Sequence, residues 1–193
     1  GSPVKSAVNP ASASPSASLP EPESYAVDPV HSTVLFRINH AGVSNFYGRF
    51  NEIQGTFTVA EGGTGTVSVT IPVASVDTGN KDRDAHLRNP DFFNAEQFPE
   101  ITFKSEAVKN TGGSKYEAKG MLTMHGVSKE ATVALERIGT KDLGEKFGGF
   151  RTGFEGTVTI KRSDFGMTYA VESGLVGDEV EIILEFEAIR EAS

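Results

Sequence analysis

The chain of 193 residues contains no cysteine and no tryptophan. The absence of thiols excludes disulfide frameworks, thiolate zinc sites, iron–sulfur ligation and cysteine nucleophiles together. Basic residues are in deficit: 18 Lys and Arg stand against 26 Asp and Glu, a formal net charge of -8. Nucleic-acid affinity comes largely from Lys and Arg displacing counterions, so this balance argues against a nucleic-acid partner. Long hydrophobic runs are missing too, because polar residues interrupt every apolar stretch before it reaches the roughly 18 residues of a membrane-spanning helix. Neither a Gly-x-Ser-x-Gly elbow nor a phosphate-cradling Gly-x-x-x-x-Gly-Lys occurs, and no Gly-x-Gly-x-x-Gly sits between a strand and a helix. Enzymatic activity is therefore the weaker class.

What is present divides in two. Residues 1–24 are mostly Ser, Ala and Pro, with Lys5, Glu21 and Glu23 as the only charges and no aromatic residue. Such a stretch cannot bury enough apolar surface to offset its ordering entropy, so it reads as a disordered leader, with Gly1-Ser2 a remnant of cleavage. A tether of this composition is common after an export signal, and an exported, envelope-located protein is the expectation. Residues 25–193 read as one domain, long enough to form a core without staples.

From Tyr25 the dominant signal is alternation with period 2, the mark of strands that bury one face. Val34, Phe36, Ile38 and His40 share a face, as do Ile53, Gly55, Phe57 and Val59, and then Val67, Val69, Ile71 and Val73. Ile101 with Phe103, Gly120 with Leu122 and Met124, and Ala131 with Val133 and Leu135 continue the pattern. Phe150 to Ile160 and Val180 to Ala188 complete about eight strands. Turns are expected at Glu61-Gly62-Gly63, at Thr64-Gly65-Thr66, at His125-Gly126 and at Gly148-Gly149. Only Asn80 to Gln97 breaks the period, with Lys81 to Arg88 compatible with a helix. The fold class is all-β: an eight-stranded antiparallel barrel, or a sandwich, with one short helical insertion. An eight-stranded barrel can be filled by its own side chains or hold one ligand, and the residues alone leave both open.

Four histidines, His31, His40, His86 and His125, are the remaining soft metal ligands, but none stands at His-x-His or His-x-x-x-His spacing, and no metal site is expected. His125 reads as a turn residue and His40 as a strand end. Arg83-Asp84-x-His86-Leu87 places a carboxylate beside an imidazole, a pair able to orient a general base or hold a polar headgroup. The neighbouring Leu87, Phe92, Phe93 and Phe98 suggest a helix folded over something apolar. In Arg162-Ser163-Asp164-Phe165-Gly166 the plain reading is a loop locked by one ion pair.

Taken in order, these motifs resemble one family. His31-Ser32-x-Val34-x-Phe36, His40, Gly48-x-Phe50, Gly55 and Ile71-x-Val73-x-Ser75-Val76-x-Thr78 are similar to the opening half of the YceI-like, polyisoprenoid-binding family. Arg83-Asp84-x-His86-Leu87, Asp91-Phe92-Phe93 and Phe98-Pro99-x-Ile101-x-Phe103-x-Ser105 resemble its most characteristic block. Gly120-x-Leu122-Thr123-x-His125-Gly126, Arg162-x-Asp164-Phe165-Gly166 and Gly177-Asp178-Glu179-Val180 follow in order.

The resemblance implies an extended lipocalin-like barrel with a helical lid. It implies non-catalytic binding, storage or transport of a long isoprenoid, either an isoprenoid quinone or a polyprenyl chain, with no required cofactor. Its setting would be the bacterial periplasm or envelope. On this reading Phe36, Ile38, Phe50, Phe57, Ile71, Phe103, Leu122, Phe154 and Phe186 line the cavity. Leu87, Phe92, Phe93 and Phe98 form its lid, and Arg83, His86 and Arg162 stand at its mouth. Burying ten methylene equivalents at about 0.8 kcal/mol each gives about 8 kcal/mol before entropy losses, a roughly micromolar affinity without polar contacts. Partners are then the isoprenoid lipid, a membrane touched transiently, and a second copy paired through an edge strand or the C-terminal strand. Two alternatives stand beside this: a stress-related structural or interaction module with a filled barrel, and a quinone-linked redox accessory using Arg83, Asp84 and His86.

Overall fold

The computed structural model describes residues 22–60 and 62–192, and most of the expected leader, residues 1–21, lies outside the described residues. Its elements run β1 (Glu23–Val27), β2 (Thr33–His40), β3 (Ser44–Phe50), β4 (Gln54–Val59), β5 (Thr64–Pro72), β6 (Val76–Asp77) and α1 (Lys81–Arg88), then β7 (Glu100–Gly112), β8 (Lys115–Met124), β9 (Val127–Asp142), β10 (Phe150–Lys161) and β11 (Val176–Arg190). All the strands belong to one antiparallel sheet, which closes on itself where β1 pairs with β11.

The barrel has eight walls because three of them are broken strands. One edge of β11 pairs with β10, while the other passes β2 over Val180–Glu185 and then β1 over Ala188–Arg190. Thus β1 and β2 are two lengths of one wall. The next wall is β3 with β4, and the third is β5 with β6, each length pairing with its counterpart. With β7 to β11 they form a closed, eight-stranded antiparallel barrel, and α1 is the one α-helix among the described residues. At the first break a side chain replaces the ladder: Ser32 Oγ donates to Asp28 O at 2.6 Å and accepts from Glu187 N at 3.2 Å. This satisfies backbone groups that a kinked wall would otherwise leave buried and unpaired.

Two local expectations need correction, and one strand went unread. First, β1 starts at Glu23, two residues inside the stretch assigned to the leader. Glu23 and Ser24 pair with Val59 and Thr58, and Glu23 accepts from Tyr25 Oη at 2.5 Å. Second, Thr64-Gly65-Thr66 is strand and not turn, because Thr58 O of β4 approaches so closely that no side chain fits at position 65. Third, β3 carries no readable alternation: its inward residues are Ser44, Phe46, Gly48 and Phe50, so small residues interrupt the apolar face. The C-terminal strand also offers no edge to a second copy over its paired length, since β11 has a neighbour on both sides.

The helix forms where the sequence supplies its ends. Asn80 Oδ1 accepts from Arg83 N at 3.0 Å as the N-cap, with Asp82 and Asp84 in the first turn and His86 and Arg88 in the last, matching the helix dipole. Buried Asp84 fixes α1 to the barrel rim, accepting from Thr78 N at 2.8 Å and from Thr78 Oγ1 at 2.5 Å.

Two apolar clusters result. One joins Val34, Phe50, Ile53, Ile71, Leu122, Met124 and Phe165 beside the helix end, and the other joins Tyr25, Phe57, Tyr116, Phe154 and Ala188 at the opposite end. Between them the inward side chains Phe36, Ile182, Leu184 and Phe186 are only half-buried although they point to the axis. They face empty space.

Candidate functional site

That space is a cavity of about 570 Å³, within the range that encloses most of a small ligand. Its upper wall is Phe36, Ile38, Phe50 and Ile71, its middle Phe103 and Leu122, and its floor includes Phe186. Leu87, Phe92 and Phe93, from α1 and the turn after it, cover the top. Phe93 packs edge-on to Phe50 at 5.7 Å, and Phe50 in turn against Phe36 at 5.7 Å. Lid and wall are therefore one aromatic network, worth about 1 kcal/mol per pair beyond area burial.

Three expected lining residues lie elsewhere. Phe57 and Phe154 sit below the cavity and close its base, 5.7 Å apart and edge-on. Phe98 is not in the lid; it packs against His125 at 5.1 Å, under the turn that joins β8 to β9. Phe57 and Phe154 alternate correctly, but alternation says which side of a wall a residue faces and not how far along the axis it lies, and Phe98 stands in the loop before β7, where no period places it.

Every polar side chain of the lining lies at one end: Asn39, His40 and Ser44 at the β2–β3 turn, Arg83 and His86 on α1, and Arg162 and Tyr169 on the segment before β11. Below them, among the described residues, no polar side chain faces the cavity. Arg83 lies 4.3 Å over the Phe46 ring and donates from Nε to Thr78 Oγ1 at 2.8 Å. His86 meets Phe92 and Tyr169 edge-on at 5.0 Å and 5.2 Å.

The chemistry expected of this end is revised in two places. Asp84 does not face His86, because its carboxylate is spent on Thr78. The imidazole pairs with exposed Asp91 instead, Nε2 to Oδ2 at 2.9 Å. Arg162 lines the mouth but is no free cation. It is 3% exposed, and it donates from Nε to Gly177 O at 2.7 Å and from Nη1 and Nη2 to Met167 O and Val176 O at 2.8 Å. Burial pulls its guanidinium below the ordinary arginine value. The loop is thus locked by carbonyls rather than by an ion pair with Asp164. Asp178 accepts from Ser163 N and Oγ at 2.9 Å and 2.8 Å and completes the lock.

At the far end the fold assembles a group that spacing could not reveal. Asp28, His31 and Glu187 bring their ligand atoms within 4.8 Å of one another. The space between the carboxylates is taken by a cation already, since Arg151 Nη1 donates to Asp28 Oδ2 at 2.7 Å and to Glu187 Oε1 at 2.5 Å. Burial raises the Asp28 carboxyl, but hydrogen bonds from His31 and Arg151 outweigh it and hold the pKa at about 2. The group is a clamp across the β1–β2 break.

Sequence reasoning missed other lining residues. Val180, Ile182 and Leu184 were legible as the inner face of β11, whereas Tyr169 and Leu175 sit in a segment with no periodicity and gave no signal.

An eight-walled antiparallel barrel around one apolar chamber, polar only at its mouth, defines a hollow, lipocalin-like barrel. The YceI-like domain profile matches residues 25–188. A UPF0312 protein of Pseudomonas aeruginosa (strain LESB58) is 43% identical over 163 residues, covering 83% of this chain and 83% of that protein. The chain belongs to the YceI-like family. BcnA of Burkholderia cenocepacia has the same fold, with a TM-score of 0.73 and 28% identity over 83% of this chain and 98% of that one. A polyisoprenoid binding domain from Saccharophagus degradans shares the fold at a TM-score of 0.65 and 16% identity, over 86% of this chain and 98% of that one.

Proposed function

We propose that the protein binds a long isoprenoid amphiphile, of isoprenoid-quinone or polyprenyl type, tail-down in the chamber, and stores or carries it without altering it. The observation that carries this reading is the separation of polarity along the axis: an apolar chamber of about 570 Å³ whose polar side chains, among the described residues, stand at the mouth. A headgroup buried deeper would lose water without gaining hydrogen bonds, at a cost of several kcal/mol, so the tail enters first. The polyisoprenoid binding domain of like fold supports the choice of tail.

The mouth also supports a carrier that meets a membrane. Val43 at the β2–β3 turn is 84% exposed and Leu175 is 48% exposed, linked through the hydrogen bond from Ala41 N to Leu175 O at 2.9 Å. We place this exchange in the bacterial envelope, as the Ser/Ala/Pro-rich stretch up to residue 24 suggests for an exported chain. The redox alternative loses its proposed acid–base pair, because Asp84 is engaged with Thr78.

Native mass spectrometry of the purified protein, followed by organic extraction, tests the reading. A bound isoprenoid in stoichiometric amount is expected. A protein that is empty and stays empty after incubation with isoprenoid quinones and polyprenyl phosphates would overturn it.

A further inference from the structure

Val67, Leu135 and Phe186 wall the lower end of the chamber, and the same three side chains bound a second void of about 30 Å³ beneath it. Phe186 is the largest of them and is supported from below. Its ring stacks on Phe154 with centroids 5.6 Å apart and meets Phe57 at 6.0 Å. Those two rings are 6% and 7% exposed, whereas Phe186 is half-buried and turns its remaining face to the chamber. The barrel does not stop there. Tyr25, Tyr116 and Ala188 continue its packed interior past the floor, with Tyr25 stacked on Phe57 at 4.9 Å. The chamber is therefore shorter than the barrel, and a side chain ends it rather than the fold.

A tail that enters from the mouth meets the Phe186 ring, which its neighbours prevent from swinging aside, since packed interiors yield little. Each isoprene unit above the floor adds apolar burial and tightens binding. A unit too many has no room, and must either stay in water or push another unit out of the mouth. We propose that Phe186, seated on Phe57 and Phe154, sets the longest isoprenoid the barrel encloses, so the protein selects its ligand by chain length. This rests on the isoprenoid reading above and adds a length limit to it.

The test is competition binding of a graded series of isoprenoid quinones, differing by single isoprene units, to the full chain, read by native mass spectrometry. For the wild type, affinity is expected to rise by at least about tenfold per added unit until one length, then to level off or fall. Phe186→Leu opens the floor toward the lower void and moves that break to a longer homologue. Val67→Phe, on the facing wall, raises the floor and moves it to a shorter one, so the two variants shift in opposite directions and either decides the matter if the other folds poorly. A break at the same length in all three proteins, or a wild type that binds every length without a break, overturns the proposal while leaving isoprenoid binding intact. A wild type that binds no homologue overturns the isoprenoid reading, and the length limit with it.

Discussion

Gly48 stands directly opposite Phe36 across the β2–β3 ladder, and a Cβ at that position would lie 2.2 Å from the Phe36 ring. The glycine is what lets the aromatic ring lie against the wall instead of across the cavity. Gly48→Val is expected to push the ring inward and weaken ligand binding by at least about tenfold, the loss of roughly two buried methylene equivalents. Titration with an isoprenoid quinone measures this, and unchanged affinity in a folded variant would show that the ring has another place to go. Asp28 makes a second argument at this scale. Its folded pKa of about 2 lies below the ordinary aspartate value of 3.8, so its contribution to stability is complete above about pH 4 and is lost as pH falls through about 2. The contribution is no more than about 2 kcal/mol. Urea unfolding of wild type and Asp28→Asn across this range should give a difference that is largest near neutrality and shrinks toward pH 2. A difference that does not change with pH would mean that the carboxylate charge is not what holds the clamp.

Among the elements, the segment between β10 and β11 depends most on one side chain. Arg162, itself buried, gives three donors to three backbone carbonyls, and Arg is suited to this because its planar fork is fixed while a lysine ammonium is a single point. Arg162→Met is expected to cost about 3 kcal/mol by leaving those carbonyls unpaired, and Arg162→Lys to recover little of it. Chemical denaturation checks both, and near-full recovery by lysine would refute the geometric argument. This element also marks the limit of what could be read from sequence. Period 2 located most of the walls, and the ordered motifs located the lid residues Leu87, Phe92 and Phe93, because both signals are local. What stayed hidden was long-range: that Phe57 and Phe154 lie beneath the floor, that Asp84 answers Thr78 rather than His86, and that Arg162 reaches three carbonyls. Strand β3 escaped for a different reason, since the glycine that makes room for Phe36 also erases the alternation that would have revealed it.

For the whole molecule, the decisive property is that the chamber has an aromatic base and a polar-rimmed mouth, so that in the proposed carrier loading and unloading would use the same end. An isoprenoid tail crossing open water would expose all the apolar surface whose burial holds it, at about 0.8 kcal/mol per methylene. Under the proposed function exchange would therefore be faster if the mouth touched the bilayer during transfer, and Val43 and Leu175 are the exposed apolar side chains at that rim. The formal net charge of -8 works against approach to an anionic bilayer, and salt screens that repulsion within about 10 Å at 0.1 M. Two results follow for quinone transfer from vesicles, followed by fluorescence. Raising the salt concentration should speed transfer from anionic vesicles and leave transfer from neutral ones nearly unchanged. The double variant Val43→Glu with Leu175→Glu should slow transfer from either kind by roughly tenfold, the loss of about 1.4 kcal/mol of contact, because its new charges resist the interface. Its equilibrium affinity for quinone should change far less than its transfer rate, since Val43 lies outside the chamber and Leu175 touches it only at the rim. Equal transfer rates for variant and wild type would mean that the ligand crosses water unaided and that the apolar rim has no part in its delivery.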